Sequence, residues 1–213
     1  MEAIPLGKKN SFILASGSPR RIELLTQIGL SVEVIKPEVP EVPKKNEKPS
    51  ALVKRLSLDK GKAVARKIMS RTGNFLIISA DTVVVEPRAG KILGKPRDAA
   101  DACRMLKLLG GNTHAVYTGF SLGFRNHHEW TWLTRAIITQ VTLRKLNSAE
   151  IKAYVRTEES MDKAGAYAAQ GQGMALVEKI RGSYTNVVGL PISQLMVEIE
   201  KLTGASTFHW GES

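Results

Sequence analysis

The chain has 213 residues, 43% of them hydrophobic and 24% charged, with 31 Lys and Arg against 20 Asp and Glu and a formal net charge of +11. That is the composition of a globular protein long enough to bury a substantial core, and its ordinary glycine and proline contents exclude collagen-like and low-complexity classes. No run approaches the roughly 18 apolar residues of a membrane span, Met1 to Asn10 carries no apolar run of signal-peptide length, and a single cysteine closes no internal disulfide, so a reducing, cytoplasmic setting is expected.

Phe12 to Ala15 reads as a strand that ends in Ser16-Gly17-Ser18-Pro19 and runs into a helix, with Ser18 as N-cap, Pro19 at the first helical position and Gly29 as the stop. Val32 to Ile35 predicts a second strand. Lys36 to Pro49, with four prolines, predicts an exposed loop. A long helix over Ala51 to Arg71 turns Leu52, Leu56, Ala63 and Val64 inward. Leu76 to Ala80 has the unbroken apolar character of a central strand, delivers Asp81-Thr82 at its end, and is extended by Val83 to Val85. Lys91 to Leu93 is a short strand, and Asp98 to Leu109 a helix stopped by Gly110-Gly111. His114 to Phe124 and Thr131 to Leu143 alternate as two long antiparallel strands. A short helix capped by Ser148, a strand over Met174 to Lys179 and a helix over Leu190 to Leu202 complete the chain, with Thr203 to Ser213 as a frayed tail. This order predicts an α/β fold, a single twisted mixed β-sheet flanked by helices, as one domain over 11–204 between an N-terminal extension (1–10) and a C-terminal tail (205–213).

Three segments carry chemistry. A helix N-terminus presents unpaired N–H groups and partial positive charge, so the Ser16 to Arg21 segment suits an anion: Gly17 admits it to the backbone and Arg20 and Arg21 offer planar forks to phosphate oxygens. The alternative is a plain capped helix with surface arginines. Asp81, after a buried strand, is placed to hold a divalent cation or to take a proton from water, with Glu41 in the proline-rich loop as a possible second carboxylate. Lys60 and Lys95 are candidate phosphate contacts. In Asp162 to Gly171, small residues admit a planar ligand while Gln170 offers a donor and an acceptor together; a tight loop is the plainer reading. Gly90 to Pro96 has the wrong spacing and ending for a P-loop, and Gly171-Gln172-Gly173 lacks the context of a dinucleotide fingerprint. His114, His127, His128 and His209 have no zinc-like spacing, and Cys103 sits among core positions of its helix.

In order along the chain, Leu14 to Arg21, Arg55 to Lys60, Ser79 to Val85, Leu93 to Pro96, Asp162 to Gly171 and Gly182 to Pro191 resemble the motifs of the Maf family of nucleoside triphosphate pyrophosphatases. Arg20-Arg21, Asp81-Thr82 and Asp162-Lys163 with Gln170 are similar to the branch acting on dTTP and UTP; the branch acting on methylated GTP has Trp where Arg20 stands. The resemblance implies a two-lobed, inosine triphosphatase-like fold around a central cleft and hydrolysis of dTTP and UTP to the monophosphate and pyrophosphate. A housekeeping role on modified pyrimidine nucleotides such as 5-methyl-UTP and pseudo-UTP is implied with it. It also implies Asp81 as proton acceptor; Arg20, Thr82 and Gln170 as specificity residues; and Ser16, Arg21, Lys60, Lys95 and Lys163 as substrate contacts. Mg²⁺ or Mn²⁺ would be bound by Asp81 and Glu41, in a homodimer.

The chain departs from the family pattern in three ways. Pro40-Glu41 stands where an Asp-Glu pair is usual. Gly61 replaces a common Ala, a change expected to loosen its helix by about 1 kcal/mol. The positive charge is unusual: Lys44 to Arg71 alone carries +8, which suits a polyanionic partner or a solvated helix face. The rival to the enzyme is a basic protein that binds nucleic acid through this segment, or, as the family resemblance implies, a cell-division regulatory protein; the segment has little of the interleaved aromatic character that stacks bases.

Overall fold

The structure, a computed structural model, describes residues 11–126 and 129–203; the expected extension, the tail from residue 204, His127, His128 and His209 lie outside the described residues. The chain runs β1 (Ser11–Ala15), α1 (Pro19–Gln27), β2 (Glu33–Val34), α2 (Pro49–Lys67), β3 (Phe75–Val85), β4 (Ile92–Leu93) and α3 (Ala99–Leu109). It continues through β5 (Thr113–Asn126), β6 (Glu129–Leu143), α4 (Ser148–Val155), two 3₁₀ turns at 164–166 and 171–176, β7 (Val177–Arg181), α5 (Tyr184–Val188) and α6 (Ile192–Thr203). The strands form one mixed sheet in the order β2-β1-β3-β5-β6-β7, with β4 paired to β3. β1 lies parallel to β2 and β3, and β3, β5, β6 and β7 run antiparallel in succession.

Alternation along β3 assigns its two faces. Leu76, Ile78 and Ala80 join Phe120, Leu122 and Phe124 of β5 in an apolar cluster with α1, α5 and α6. Phe75 and Ile77 face Val64 and Ala65 of α2 and Ile68 just after it, and Val83 faces Leu52, Val53 and Leu56. Burying each such side chain contributes about 1.5–3 kcal/mol, which holds β3 between two layers of helix. Further along, Val84 joins α3, α4 and β7-side residues in a separate cluster, so the long strands β3 and β5 are shared by two lobes.

Local chemistry sets the helix boundaries. α1 ends in a Schellman motif: Leu30 N–H donates to Leu25 O and Gly29 N–H to Thr26 O, with Gly29 at φ 77°. At its start Ser18 has extended backbone but its side chain makes no cap hydrogen bond; its N–H donates instead to Ser16 Oγ. α2 begins at Pro49, which fits a first helical turn because it has no N–H to lose, and ends at Lys67 rather than Arg71. The cap of α4 is Asn147, not Ser148, because Asn147 Oδ1 accepts from Ala149 and Glu150 N–H while Glu150 closes a capping box. The second strand shortens to Glu33–Val34, and Met174 to Leu176 is 3₁₀ rather than strand. The helix expected over Leu190 to Leu202 is α6, starting two residues later at Ile192; before it the short α5 was not expected, and Gly189 at φ 125° and Pro191 separate the two.

Gly61 is also corrected. A Cβ there would lie 2.6 Å from the Trp132 ring and 2.8 Å from Ser79 Oγ. The residue is a notch for an indole under α2, so its substitution meets a steric clash rather than a propensity gain.

Candidate functional site

β1 makes the site by stopping early. Its last register position pairs Ala15 with Ser79, after which the chain turns into α1, while β3 continues for six more residues. Asp81 is therefore not at a strand tip, as the sequence suggested, but in mid-strand, at the end of the parallel portion only. With β1 gone and β4 pairing only at Val84 and Val85, the edge of β3 between them borders a cleft of about 830 Å³. Consecutive residues of a strand face opposite sides, so Asp81 points toward α2 and Thr82 toward α1. The missing neighbour lets both line one cavity.

The structure brings all the sequence-proposed residues to this cleft: Ser16, Arg20, Arg21, Glu41, Lys60, Asp81, Thr82, Lys95, Lys163 and Gln170. On its floor, buried Asp81 accepts a hydrogen bond from the Lys60 ammonium at 2.6 Å, and Glu41 Oε1 lies 2.6 Å from the same nitrogen. Burial opposes the charge on Glu41, but the Lys60 hydrogen bond and the charges of Lys60, Lys95 and Arg21 outweigh it and hold its carboxyl below the ordinary value. Arg21 is buried at the helix start, and its guanidinium donates to Gly189 O at 2.8 Å, Ser16 Oγ at 3.0 Å and Thr82 Oγ1 at 3.2 Å. Burial lowers its pKa and the nearby Asp81 charge opposes the shift. Two arginines in a first turn oppose the helix dipole; here carbonyl and hydroxyl oxygens surround Arg21, and Asp162, 3.1 Å away, pairs with Arg20.

The opposite wall is the tight loop expected around residue 165, with Gly165 at φ 72° and Ala166 at φ 60°. Lys163 Nζ donates to Asp162 and to Glu159 O, and Gln170 stands half-buried beside Ala168 and Ala169. Behind this wall buried His114 Nε2 lies 2.8 Å from Tyr167 Oη, and burial pushes the imidazole down to about 4, so the ring is neutral. Cys103 is half-buried against the α3–α4 cluster, away from the cleft lining.

A divalent cation was expected from Asp81 and Glu41. Among the described residues no cluster of three or more His, Cys, Asp or Glu is assembled. Two carboxylates within reach of one point nevertheless fit Mg²⁺, which is commonly held by one or two carboxylates with substrate phosphates completing its shell.

Sequence reasoning missed Lys36, Tyr167 and Gly189, which also line the cleft. Tyr167 and Gly189 lie within the segments 162–171 and 182–191 already singled out, but neither side chain by itself points to the cleft. Lys36 has a signal: it follows β2 as Ser16 follows β1, and strands that run parallel deliver their C-terminal ends to the same place. The basic segment is largely solvated. Arg55 pairs with Glu47, Lys67 with Glu38 and Arg71 with Glu33, Lys60 enters the floor, and Lys54, Lys62 and Arg66 are exposed along α2.

The family model described as Maf-like protein matches residues 11–202. A dTTP/UTP pyrophosphatase of Geobacter sulfurreducens is 44% identical over 195 residues, covering 92% of this chain and 98% of that protein. One of Acetivibrio thermocellus is 46% identical over 186 residues, covering 86% and 90%. A solved structure of a nucleoside-triphosphatase / dITP/XTP pyrophosphatase from Mycobacterium abscessus covers 89% of this chain and 93% of that one at 12% identity and a TM-score of 0.40, too low to bear weight.

Proposed function

The chain belongs to the Maf-like protein family, and on that premise we propose that the cleft beside β3 is the active site of a pyrophosphatase acting on dTTP and UTP. It hydrolyses these nucleotides to the monophosphate and pyrophosphate. The observation that carries the site assignment is the buried Asp81 carboxylate, tied through Oδ1 to Lys60 and set on an open strand edge in a cleft ringed by arginine and lysine.

Asp81 Oδ2 makes no hydrogen bond among the described residues, which leaves it to accept a proton from water. The water oxygen attacks the α-phosphorus in line, its proton passes to Asp81, and the bond from that phosphorus to the β-phosphate oxygen breaks, releasing pyrophosphate. Lys60 orients Asp81 and offsets negative charge at the reacting centre. Arg21 acts through Ser16 and Thr82, fixing the helix start against the strand, rather than with a free fork. Gln170, Thr82 and Arg20 present the polar groups that pair with a pyrimidine edge; a base that leaves them unpaired is rejected. A divalent cation, Mg²⁺ or Mn²⁺, would be held by Asp81 and Glu41 and supplies neutralisation of phosphate charge when bound. Modified pyrimidine nucleotides as physiological substrates, a homodimer and a cytoplasmic setting belong to the same proposal.

The test is pyrophosphate release from dTTP, UTP, CTP, ATP and GTP with and without divalent cation. dTTP and UTP are expected to turn over at least about tenfold faster than the purine nucleotides, and only with the cation. Equal rates on ATP or GTP would overturn the specificity, and salt-sensitive DNA binding without hydrolysis would favour the nucleic-acid rival.

A further inference from the structure

Cations in the cleft differ in what already occupies them. Arg20 is paired with Asp162, Arg21 donates to three protein oxygens, Lys60 bridges Glu41 and Asp81, and Lys163 is held by Asp162 and Glu159 O. Among the described residues only Lys36 and Lys95, of the cleft-lining cations, have an ammonium without an ion pair or hydrogen bond. An incoming polyanion gains most from such groups, because no existing pair must break. Lys95 follows from the family resemblance. Lys36 does not.

Three observations place Lys36. The parallel register pairs Leu14 with Val34, and Ile35 N–H still donates to Leu14 O, so two residues beyond the register Lys36 stands beside Ser16. Its backbone carbonyl accepts from Lys67 Nζ at 3.2 Å, tying the segment to the end of α2. Its aliphatic stem lies flat across Gly17: a Cβ on that glycine would be 2.6 Å from Lys36 Cε, 3.1 Å from Cγ and 3.3 Å from Cδ. The ammonium, one bond beyond Cε, is therefore carried over the Ser16-Gly17-Ser18 loop at the start of α1, where backbone N–H groups already favour an anion. It stands on the β2 side of the cleft, opposite the loop bearing Gln170.

We propose that Lys36 is a substrate-binding residue that holds the β,γ-phosphate end of the nucleotide, the part that departs as pyrophosphate, with Gly17 kept small so that the lysine stem can cross it. This rests on the pyrophosphatase reading: with the base against the Gln170 wall, the phosphate tail extends toward the opposite wall, where Lys36 stands.

Calorimetric binding of inorganic pyrophosphate and of dTMP, together with steady-state dTTP hydrolysis at fixed divalent cation, tests it in the wild type, Lys36→Met and Lys36→Arg. Methionine keeps the stem and removes the charge, and an exposed residue of this kind leaves the melting temperature unchanged. Lys36→Met should weaken pyrophosphate binding and raise KM for dTTP by about tenfold each, with dTMP binding unaltered and Lys36→Arg recovering most of the loss. Unchanged pyrophosphate affinity in Lys36→Met would overturn the proposal, as would equal weakening of dTMP, which would move the contact to the α-phosphate or to the general field. Failure of the underlying reading is visible separately, as a wild type that releases no pyrophosphate from dTTP or UTP.

Discussion

The floor and the rim of the cleft use charge differently. On the floor Asp81, Lys60 and Arg21 are buried, and each is bound to a protein partner at 2.6–3.2 Å. On the rim Arg20 and Asp162 are partly exposed and paired with each other, and half-exposed Glu41 reaches down to Lys60, while Lys36 and Lys95 are exposed and unpaired among the described residues. Burial is tolerable for a charge only when it is hydrogen-bonded, so the floor is fixed before any ligand arrives. At the rim the ion pairs are open to solvent and the Lys36 and Lys95 ammoniums have no partner among the described residues to give up, so these charges stay available for exchange. A reaction that needs a positioned proton acceptor and a loosely held product is served by that division.

The comparison is broken most sharply at Asp81. Asp81→Asn keeps the Lys60 contact geometry but cannot take a proton, and pyrophosphate release should fall by about 10²–10⁴-fold with circular dichroism unchanged. Near-wild-type turnover would remove Asp81 from the mechanism. Arg21→Met tests whether the floor is also structural. It strips donors from Gly189 O, Ser16 Oγ and Thr82 Oγ1, and urea unfolding should show a loss of about 2–4 kcal/mol. A midpoint equal to wild type would mean that the guanidinium does not organise the helix start.

The smallest effect belongs to the rim, at Glu41. Its carboxyl is held below its ordinary value of 4.5 in the folded chain, so the folded state binds fewer protons than the unfolded state in that window. The contribution is present above about 4.5 and is lost as pH falls through the lower folded value. Because Glu41 is half exposed, solvent screening keeps it below about 1 kcal/mol. Urea midpoints from pH 7 to pH 3.5 should drop slightly more for wild type than for Glu41→Gln. A difference of several kcal/mol would place Glu41 with the floor groups instead.

Much of this is legible in the sequence. The apolar run of β3, the proline and glycine that bracket α1, and the alternation of β5 and β6 are local signals, and they gave the elements within a few residues. The residues gathered around the cleft were named through motif resemblance, and the structure brings them into one cavity. What failed was set either by competition between neighbouring side chains for the same amides or by a distant partner. Asn147 outcompetes Ser148 as a cap because its Oδ1 reaches two amides at once. Gly61, a weak helix residue by propensity, is the notch filled by Trp132, 71 positions later.

The sequence by itself determined which segments become strand or helix, and which side chains carry phosphate and proton chemistry, since periodicity and side-chain type act over a few residues. Only the tertiary structure decided that Asp81 and Thr82, on opposite faces of one strand, open onto one cleft, that Lys60 joins two carboxylates, and that Lys36 lies over the anion loop. Those facts follow from where β1 ends relative to β3 and from which backbones approach closely, and strand register is fixed by pairing between segments more than sixty residues apart.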